Sequence, residues 1–423
     1  MKIMKRVICF VLCVAITVSC TALCTSAASE EKNKYPFVFV HGLNGWGEGE
    51  GINSIVPYWG ATSCDLMEYL GEEGYECYSA SVGPFSSAWD RACELYAQLA
   101  GTTVDYGEAH SKEHNHLRYG RTYDEPLVEN WGSLDKNGKI QKVHLIGHSF
   151  GGTTARLLVE LLTNGNEAER KATPKGEISE LFTGGKGDWV ESVTTICTPH
   201  NSSTSYYIAL VLGVLEILPV FSAIYASTLG RGPLNGTYVD FHLEQFGMTN
   251  IPGQDNAGGY FRSIANYLKN SDDSAQYDLT PEGAQAVNDM ISINKDVYYI
   301  SYAFSTTKEL ELTGINVPYI TTNPIIAPVA LIAGNTPEFT DFYTGQLYDS
   351  SWHSNDALVN TVSALYPFDE PHREYDGRFE KGVWNVMPVQ RGDHGQAIGL
   401  LTDRKETKAF YLELAGMLCG LEK

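Results

Sequence analysis

The sequence predicts an α/β fold in which a mostly parallel central sheet is flanked by helices on both faces. Two observations lead to this prediction: short, continuous apolar runs end near glycines, and segments with helical periodicity lie between these runs. Strands buried on both faces have continuous apolar runs, whereas strands with one solvated face alternate. The alternation of such strands with helices over 423 residues is typical of layered α/β proteins.

Five segments have the composition of buried strands. In chain order they are PFVFV (36–40), KVHLIG (142–147), ESVTTICT (191–198), DVYYISYAF (296–304) and VWNVMPVQ (383–390). The last segment contains Pro388, which a sheet tolerates at an edge. Helical periodicity is found in 87–99, 153–162 and 404–419. Two stretches depart from the alternation: 201–259, and a polar loop over 106–123.

The first 28 residues have the features of a secretory signal peptide. The basic residues Lys2, Lys5 and Arg6 precede the apolar run VICFVLCVAITV, and small residues at 27–28 suit cleavage. The run is short for a membrane-spanning helix, and a lipid-modified cysteine fits the neighbouring residues poorly. We therefore expect an extracellular protein without a stable transmembrane anchor, whose main domain covers 35–423.

The chain is strongly acidic, with a formal net charge of −21, which becomes −24 once a leader carrying three positive charges is removed. Such a surface repels nucleic acid and anionic lipid head groups, so we expect no nucleic-acid partner. The remaining cysteines are five in number, scattered and without a CxxC pair: Cys64, Cys77, Cys93, Cys197 and Cys419. This pattern excludes a disulfide scaffold and a cysteine zinc cluster, and it leaves the pairing of individual cysteines open.

The segment HLIGHSFGG (144–152) places one serine between a predicted strand and a predicted helix. Gly147 and Gly151 leave room for a tight turn, and this turn would expose Ser149 as a nucleophile at the edge of the sheet. The backbone N–H of Phe150 would then point towards a reacting oxygen, beside the positive end of the helix. GxSxG alone is a weak signal; the strand before it and the helix after it favour a nucleophile.

His394, in RGDHG, is the only histidine between the last predicted strand and the final helix. A serine nucleophile needs an imidazole base, which a carboxylate orients, and α/β-hydrolases place acid and histidine after the serine. His394 is therefore the predicted base. The order along the chain leaves the acid open among Asp341, Asp349, Asp356, Asp369 and Asp376, while Asp393 is too near His394 in sequence. We interpret four other histidines as ordinary polar residues: His200, His242, His353 and His372.

A second backbone donor for an oxyanion is expected in HGLNGWG (41–47), directly after the first strand. The amide of Leu43 is the candidate, and the glycines would keep this loop close to the serine. A plain glycine-rich turn is the alternative, which the position after a strand disfavours.

Several long segments match one known family in the same order. They are FVFVHGLNGWG, WDRACELYAQLAGTTVDYGEAHSKEHNHLRYGRTY, GHSFGGTTARLLVELL, SVTTICTPHNSST, AQYDLTPEGA, SNDALVNTVS and YDGRFEKGVWNVM. From about Tyr35 to the C-terminus the chain thereby resembles the thermoalkaliphilic bacillus and staphylococcal lipases. The resemblance implies a secreted triacylglycerol lipase with an α/β-hydrolase fold, acting on lipid at an oil–water interface. It implies a triad of Ser149, Asp356 and His394, with oxyanion amides at Leu43 and Phe150.

The polar loop contains EAHSKEHNH, with His110, His114 and His116. Taken alone, these histidines suit either a cation with nitrogen ligands or a solvated loop. The resemblance implies a structural zinc, whose ligands fall on Asp90, His110, His116 and Asp273. Asp272 stands directly beside Asp273 in the sequence. The zinc-binding region would comprise about 85–123 and 260–275, and four protein ligands would close its coordination shell.

A calcium site of the same family has no counterpart in the expected positions. Those positions hold Gln396, Leu401 and Thr402, whereas calcium prefers carboxylate oxygens. Only the nearby Asp403 offers one. We therefore do not expect calcium by this route.

The segment SYYIALVLGVLEILPVFSAIYASTLG (205–230) is almost entirely apolar. Glu216 and Pro219 argue against a membrane span, and a buried helix is a second interpretation. A lid, within an insertion of about 201–259, agrees best with a lipase, because an apolar face that leaves the protein at an oil surface would be buried in lipid. Two alternative functions stay open: a carboxylesterase for short soluble esters, and a non-catalytic binding protein on a hydrolase scaffold.

Overall fold

The computed structural model describes residues 32–211, 240–248 and 257–422. Their central element is a seven-stranded sheet in the order β6–β7–β5–β4–β3–β1–β2, with every neighbouring pair parallel. The strands are β1 Phe37–Val40, β2 Cys77–Ala80, β3 Val143–His148, β4 Val190–Ile196, β5 Tyr298–Tyr302, β6 His372–Glu374 and β7 Trp384–Val386. The predicted parallel sheet is therefore confirmed.

Helices connect and flank these strands. They are α1 Leu66–Glu72, α2 Ala88–Ala100, α3 Glu108–Glu113, α4 Phe150–Asn164, α5 Glu167–Ala172, α6 Glu180–Thr183, α7 Thr204–Val211, α8 Ala257–Asn270, α9 Ala275–Asp278, α10 Pro281–Met290, α11 Ala327–Ala333, α12 Thr361–Leu365 and α13 Arg404–Leu421. Short 3₁₀ helices occupy Gly51–Ser54, Gly187–Trp189, Glu244–Phe246, Ser350–Trp352 and Gln396–Ile398. Short paired strands outside the main sheet join Thr103–Asp105 to Tyr119–Thr122, Phe304–Ser305 to Gln390–Arg391, Thr307–Glu309 to Asn316–Pro318, and Phe339–Thr340 to Leu347–Tyr348.

Both faces of the sheet are buried, which explains the continuous apolar runs of its central strands. Successive side chains of a strand point to opposite faces. In β1, Val38 and Val40 belong to the cluster formed with α2 and α4, whereas Phe37 and Phe39 belong to the cluster with α1 and α13. A polar residue at any of these four positions would face a hydrophobic layer.

The two ends of the described chain meet at the amino ends of the strands. The carboxylate of Glu422 accepts hydrogen bonds from the backbone N–H groups of Lys34 (2.9 Å) and Tyr35 (3.1 Å). It also lies 3.1 Å from Nε2 of His144, in β3. Glu422 therefore fixes the position of the backbone directly before β1.

The turn between β3 and α4 is tightly packed at the carboxyl edge of the sheet. A Cβ atom at Gly147 would lie 2.4 Å from the backbone nitrogen of Gly152, and one at Gly151 would lie 2.1 Å from the carbonyl oxygen of Val40. Between these glycines, Ser149 has φ 55° and ψ −130°, a conformation that few non-glycine residues adopt. The predicted need for space on both sides of Ser149 is therefore confirmed.

Two predictions about local structure were wrong, and two strands were missed. The loop predicted over 106–123 contains α3 and the strand Tyr119–Thr122. The strand predicted over 383–390 ends at Val386, so Pro388 lies beyond it and not within an edge strand. The edge strands β2 and β6 were not predicted, because β2 is half-buried in part and β6 is mostly exposed, and neither has an apolar run.

Two predicted segments lie wholly or largely outside the described residues: the signal peptide of 1–28, and most of the insertion of about 201–259. In the part of the chain that is described, no helix combines the length and hydrophobicity needed to cross a membrane. Cys64, Cys77, Cys93, Cys197 and Cys419 are unbridged.

Replacement of Gly147 by alanine is expected to destabilise the protein by about 3 kcal/mol or to prevent folding, because backbone atoms block the new methyl group. As a control, Gly416→Ala in the interior of α13 adds a methyl group that meets no atom within 4 Å. This control is expected to stabilise by about 0.5–1 kcal/mol, because alanine loses less entropy in a helix. Urea denaturation of both variants measures the difference, and equal midpoints would contradict the packing argument.

Candidate active site

Ser149 lies at the carboxyl edge of the sheet, at the start of α4. Its backbone N–H donates to the carbonyl oxygen of Ile196 in β4 (2.8 Å), and its carbonyl accepts from Gly152 (3.0 Å). Its side chain lines a cavity of about 490 Å³, which His394 also lines. The structure therefore brings the predicted nucleophile and the predicted base, which are 245 residues apart in the sequence, to one cavity.

His394 forms a buried pair with Asp356. Its Nδ1 lies 2.9 Å from Oδ2 of Asp356, and its backbone N–H donates to the carbonyl of Asp356 (2.8 Å). The other oxygen of Asp356, Oδ1, accepts from the amides of Leu358 (3.0 Å) and Val359 (2.7 Å). A carboxylate held in this way keeps the imidazole in one orientation, with Nδ1–H towards the acid and Nε2 free to act as a base.

The other candidate residues make contacts elsewhere. Asp393 accepts from the amides of Asn323, Gly395 and Gln396, and Asp376 pairs with Arg373 at the surface. The remaining histidines also have partners outside the site: His200 contacts Thr195 and Arg156, His242 contacts Glu94, His353 contacts Thr336, and His372 stacks on Tyr366. Among the aspartates left open by the sequence, Asp356 is the one in contact with His394.

Two backbone amides at the site have no acceptor within residues 32–211, 240–248 and 257–422: those of Leu43 and Phe150. Leu43 lines the cavity, and its neighbour Gly42 packs so closely that a Cβ there would lie 2.8 Å from Cβ of Ser149. Phe150 is the first residue of α4, where N–H groups lack helical partners. Neither amide is used within the described part of the fold, so each can donate a hydrogen bond to another group.

A buried arginine fixes the loop that carries Leu43. Arg91, in α2, donates to the carbonyl oxygens of His41 and Gly83 and to the hydroxyl of Thr154. Burial lowers its pKa to about 10, so the guanidinium stays charged at neutral pH. The adjacent positive charge adds to burial in lowering the pKa of His41 well below its ordinary value. His41 is thus neutral, and it accepts from the amide of Val82 (3.2 Å).

Three polar residues of the site were missed from the sequence. Tyr58 and His148 form a hydrogen bond (2.8 Å) under the loop of Leu43, and Cys197 follows β4 in a left-handed conformation, with φ 53°. His148 lies within HLIGHSFGG (144–152), but only Ser149 in that segment was assigned a role from the sequence. Nothing in the local sequence distinguishes Tyr58 from the other tyrosines.

His148, Cys197 and His394 form a close group, with possible ligand atoms within 4.8 Å of one another. Both ring nitrogens of His148 are already hydrogen bonded, and Nδ1 of His394 contacts Asp356. Burial, with the negative charge of Asp356, raises the pKa of the Cys197 thiol well above its ordinary value. Three of the four histidine nitrogens are therefore hydrogen bonded and the thiol stays protonated, which disfavours metal binding.

The cavity above Ser149 has mostly apolar walls. They are formed by Phe85, Leu268, Leu279, Ile326, Val359 and Ile398, among other residues. Apolar walls around a few convergent polar groups are typical of a small-molecule site.

A second polar cluster lies away from this cavity and consists of Asp90, His110, His116 and Asp273. Nε2 of His110 lies 3.2 Å from Oδ1 of Asp90 and 3.4 Å from Oδ1 of Asp273. Nε2 of His116 lies 3.3 Å from Oδ2 of Asp273. One possible ligand atom from each of the four residues falls within 4.8 Å of the others.

The contacts within this cluster suit a cation at its centre. Nδ1 of His116 faces the carbonyl oxygen of Leu117 at 2.8 Å and donates to it, which leaves Nε2 facing Asp273. Nε2 of His116 and both oxygens of Asp273 are buried without a hydrogen-bond partner. Burial and the charge of Asp273 raise the pKa of Asp90. A metal ion would relieve this repulsion and satisfy the unpaired atoms.

Separate elements bring the four residues together. Asp90 lies in the first turn of α2, capped by Ser87 (3.2 Å), and His110 lies on α3, whose first amides donate to Glu169. Asp273 belongs to the connection between α8 and α9. The structure thus brings Asp273 to the cluster, whereas Asp272 is exposed and contacts His114 (3.1 Å).

The residues near the expected calcium site are occupied in other ways. The carboxylate of Asp403 caps α13 by accepting from the amide of Lys405 (2.7 Å). The described part of the chain contains no cluster of three or more such ligands besides the two above.

Comparison with known proteins agrees with this architecture. A family model described as "Lipase-like, C-terminal domain" matches residues 33–423. A lipase of Staphylococcus hyicus is 38% identical over 389 residues, covering 90% of this chain and 56% of the relative. Lipase 1 of Staphylococcus aureus is 33% identical over 408 residues, covering 93% and 55%. The chain therefore spans about half the length of the curated relatives it matches.

Three solved structures match this chain over most of their own length. EstA from Clostridium botulinum has a TM-score of 0.77 and 36% identity, covering 93% of this chain and 89% of its own. Lipase 1 from Pelosinus fermentans has a TM-score of 0.76 and 37% identity, covering 92% and 99%. The S. hyicus lipase has a TM-score of 0.75 and 34% identity, covering 93% and 97%. The predicted α/β-hydrolase fold is confirmed by these similarities.

Proposed function

Since this chain belongs to the lipase-like C-terminal domain family, we propose that it is a serine lipase that hydrolyses triacylglycerol esters. The observation that carries the proposal is the buried pair of His394 and Asp356, whose imidazole shares one apolar cavity with Ser149. The three side chains are the nucleophile, base and acid of an acyl-transfer site. The similarity to two solved lipases, which extends over 93% and 92% of this chain, also supports the proposal.

The reaction proceeds in two halves. Oγ of Ser149 attacks the ester carbonyl carbon while Nε2 of His394 takes the hydroxyl proton, and the amides of Leu43 and Phe150 stabilise the oxyanion. His394 then gives this proton to the leaving glycerol oxygen, which leaves an acyl group on Ser149. A water molecule, deprotonated by His394, attacks the acyl carbon, and the fatty acid leaves as Ser149 recovers its proton. Asp356 stabilises the imidazolium in both halves.

A stretch of chain without charged residues, next to the cavity, supports a lipid substrate. Residues 313–337 include no charged side chain and no histidine, and Asn323 and Ile326 within this stretch line the cavity. Beside them, Ile320 is fully exposed and Ile325 is 83% exposed. Large apolar side chains exposed beside a binding site are typical of a surface that contacts lipid or another protein. A soluble short-chain ester would require no such surface, so we favour a lipase over a carboxylesterase.

We also propose that the cluster of Asp90, His110, His116 and Asp273 holds one zinc ion per chain. Two imidazole nitrogens and two carboxylate oxygens suit a tetrahedral zinc, and four protein ligands leave no position for a reacting water. When bound, the ion would supply structural cross-linking and no acid–base chemistry. The residues would tie α2, α3 and the α8–α9 connection together.

Export from the cell is part of the same proposal. It is supported by the basic residues and the apolar run within 1–28, and by the acidic character of the remaining chain.

The first prediction concerns the triad. Ser149→Ala is expected to lower kcat by about 10⁴-fold or more, and Asp356→Asn by about 10⁴-fold, because the nucleophile or the histidine tautomer is lost. Asp376→Asn, which changes a surface aspartate paired with Arg373, is the matched control and should keep wild-type activity. Rates are measured on an emulsified long-chain triglyceride and on a soluble short-chain ester. Full activity of Ser149→Ala would refute the mechanism.

The second prediction concerns the metal. Elemental analysis should find about one zinc per chain in the wild type and much less in His116→Ala. Loss of the ion leaves buried, unpaired charges and should lower the free energy of unfolding by about 3 kcal/mol. His114→Ala, which removes a neighbouring histidine whose Nδ1 faces the exposed Asp272 and not the cluster, should keep its zinc. Equal zinc in both variants would exclude the four-residue site.

The third prediction concerns the exposed isoleucines. A double variant, Ile320→Ser with Ile325→Ser, should bind triglyceride droplets about tenfold or more weakly, because each buried isoleucine contributes about 1.5–3 kcal/mol. Its rate on a soluble short-chain ester should stay within about twofold of the wild type. Leu134→Ser serves as the control, because it removes an exposed leucine that lies outside 313–337 and does not line the cavity. Unchanged binding of the double variant to droplets would count against this surface.

A further inference from the structure

A chain of hydrogen bonds runs beneath the candidate active site and joins Gly42, Tyr58, His148 and His394. The amide of Gly42 lies 2.9 Å from the hydroxyl of Tyr58, and this hydroxyl lies 2.8 Å from Nδ1 of His148. Nε2 of His148 lies 3.1 Å from the backbone carbonyl of His394. All three side chains are almost completely buried.

The direction of every bond in this chain follows from its two ends. The carbonyl of His394 can only accept, so Nε2 of His148 carries the proton and Nδ1 of the same neutral ring is an acceptor. The hydroxyl of Tyr58 must then donate to Nδ1, and its oxygen accepts from the amide of Gly42. Burial, followed by the nearby His394, lowers the pKa of His148 well below its ordinary value, which agrees with a neutral ring.

The chain connects the three segments that supply the reacting groups. Gly42 precedes Leu43, His148 precedes Ser149, and the carbonyl belongs to His394 itself. Aromatic rings surround its middle: Tyr58 packs edge-to-face against Trp46 (5.6 Å) and Trp59 (5.5 Å). A displacement of any one segment would therefore break a buried hydrogen bond, which costs more than the same loss in water.

We propose that Tyr58 and His148 are positioning residues, which set the distances among the nucleophile, the imidazole and the oxyanion amide of Leu43. This inference rests on the proposed ester hydrolysis by Ser149. Neither residue acts as a base, because both nitrogens of His148 and the hydroxyl of Tyr58 are engaged with other groups. Catalysis by the triad is sensitive to such positioning, because a shift of about 1 Å can reduce the rate about 100-fold.

Tyr58→Phe tests the proposal because it removes one hydroxyl without changing the ring. We expect kcat to fall about 10- to 100-fold with KM within about twofold, and labelling of Ser149 by a fluorophosphonate to slow by the same factor. Tyr299→Phe is the matched control, since the buried Tyr299 hydroxyl also accepts from a backbone amide, that of Asn294 (3.1 Å), at the opposite end of the sheet. It should lower the urea midpoint, because a buried hydrogen bond is lost, and leave kcat unchanged.

Substitutions of His148 provide a second test. The amide nitrogen of glutamine can occupy the place of Nε2, so His148→Gln keeps the donor to His394 and should retain more activity than His148→Ala. A kcat of Tyr58→Phe equal to that of Tyr299→Phe, or equal rates of the glutamine and alanine variants, would overturn the positioning role. Activity that persists in Ser149→Ala would instead refute the proposed function, so the two failures are distinguishable.

Discussion

The close contact between β3 and the start of α4 determines the geometry of the whole site. Because the backbones of Gly147 and Gly152 touch, the chain must reverse within a few residues, and Ser149 takes a conformation that only a well-packed turn can maintain. The hydrogen bond from Ser149 to Ile196 fixes the turn to β4. Gly42 follows β1 and has no side chain, so the loop that carries Leu43 can pack against Ser149 from the other side. Every other group of the site is arranged around this one serine.

The central strands and main helices were predictable because buried positions need apolar residues, which produces recognisable apolar patterns in the sequence. Strand β1 is apolar throughout since α2 and α4 cover one face and α1 and α13 cover the other. The edge strands β2 and β6 lack an apolar run, because they are partly exposed to solvent. Helix α3 was also missed: its sequence EAHSKE has one apolar residue, since its inner face carries a histidine towards the polar cluster.

The candidate site was predictable to a different extent for each residue. Ser149 and His394 follow from chain order and from their place beside predicted strands. The choice of Asp356 did not follow from spacing; its contact with His394 depends on a local turn in which the amides of Leu358 and Val359 hold the carboxylate. Tyr58 and His148 meet only in three dimensions, 90 residues apart. Likewise, the sequence does not distinguish Asp272 from Asp273, whereas the structure shows that Asp272 is exposed and Asp273 is buried.

The contact of Glu422 with Lys34, Tyr35 and His144 brings the first and last described residues side by side, at the amino ends of the strands. The cavity lies at the opposite, carboxyl edge. Any additional domain, affinity tag or solid support joined at either residue would thus be attached on the same side, and in a molecule immobilised there the cavity would lie on the side away from the support. The short gap between these residues also makes the chain suited to circular permutation.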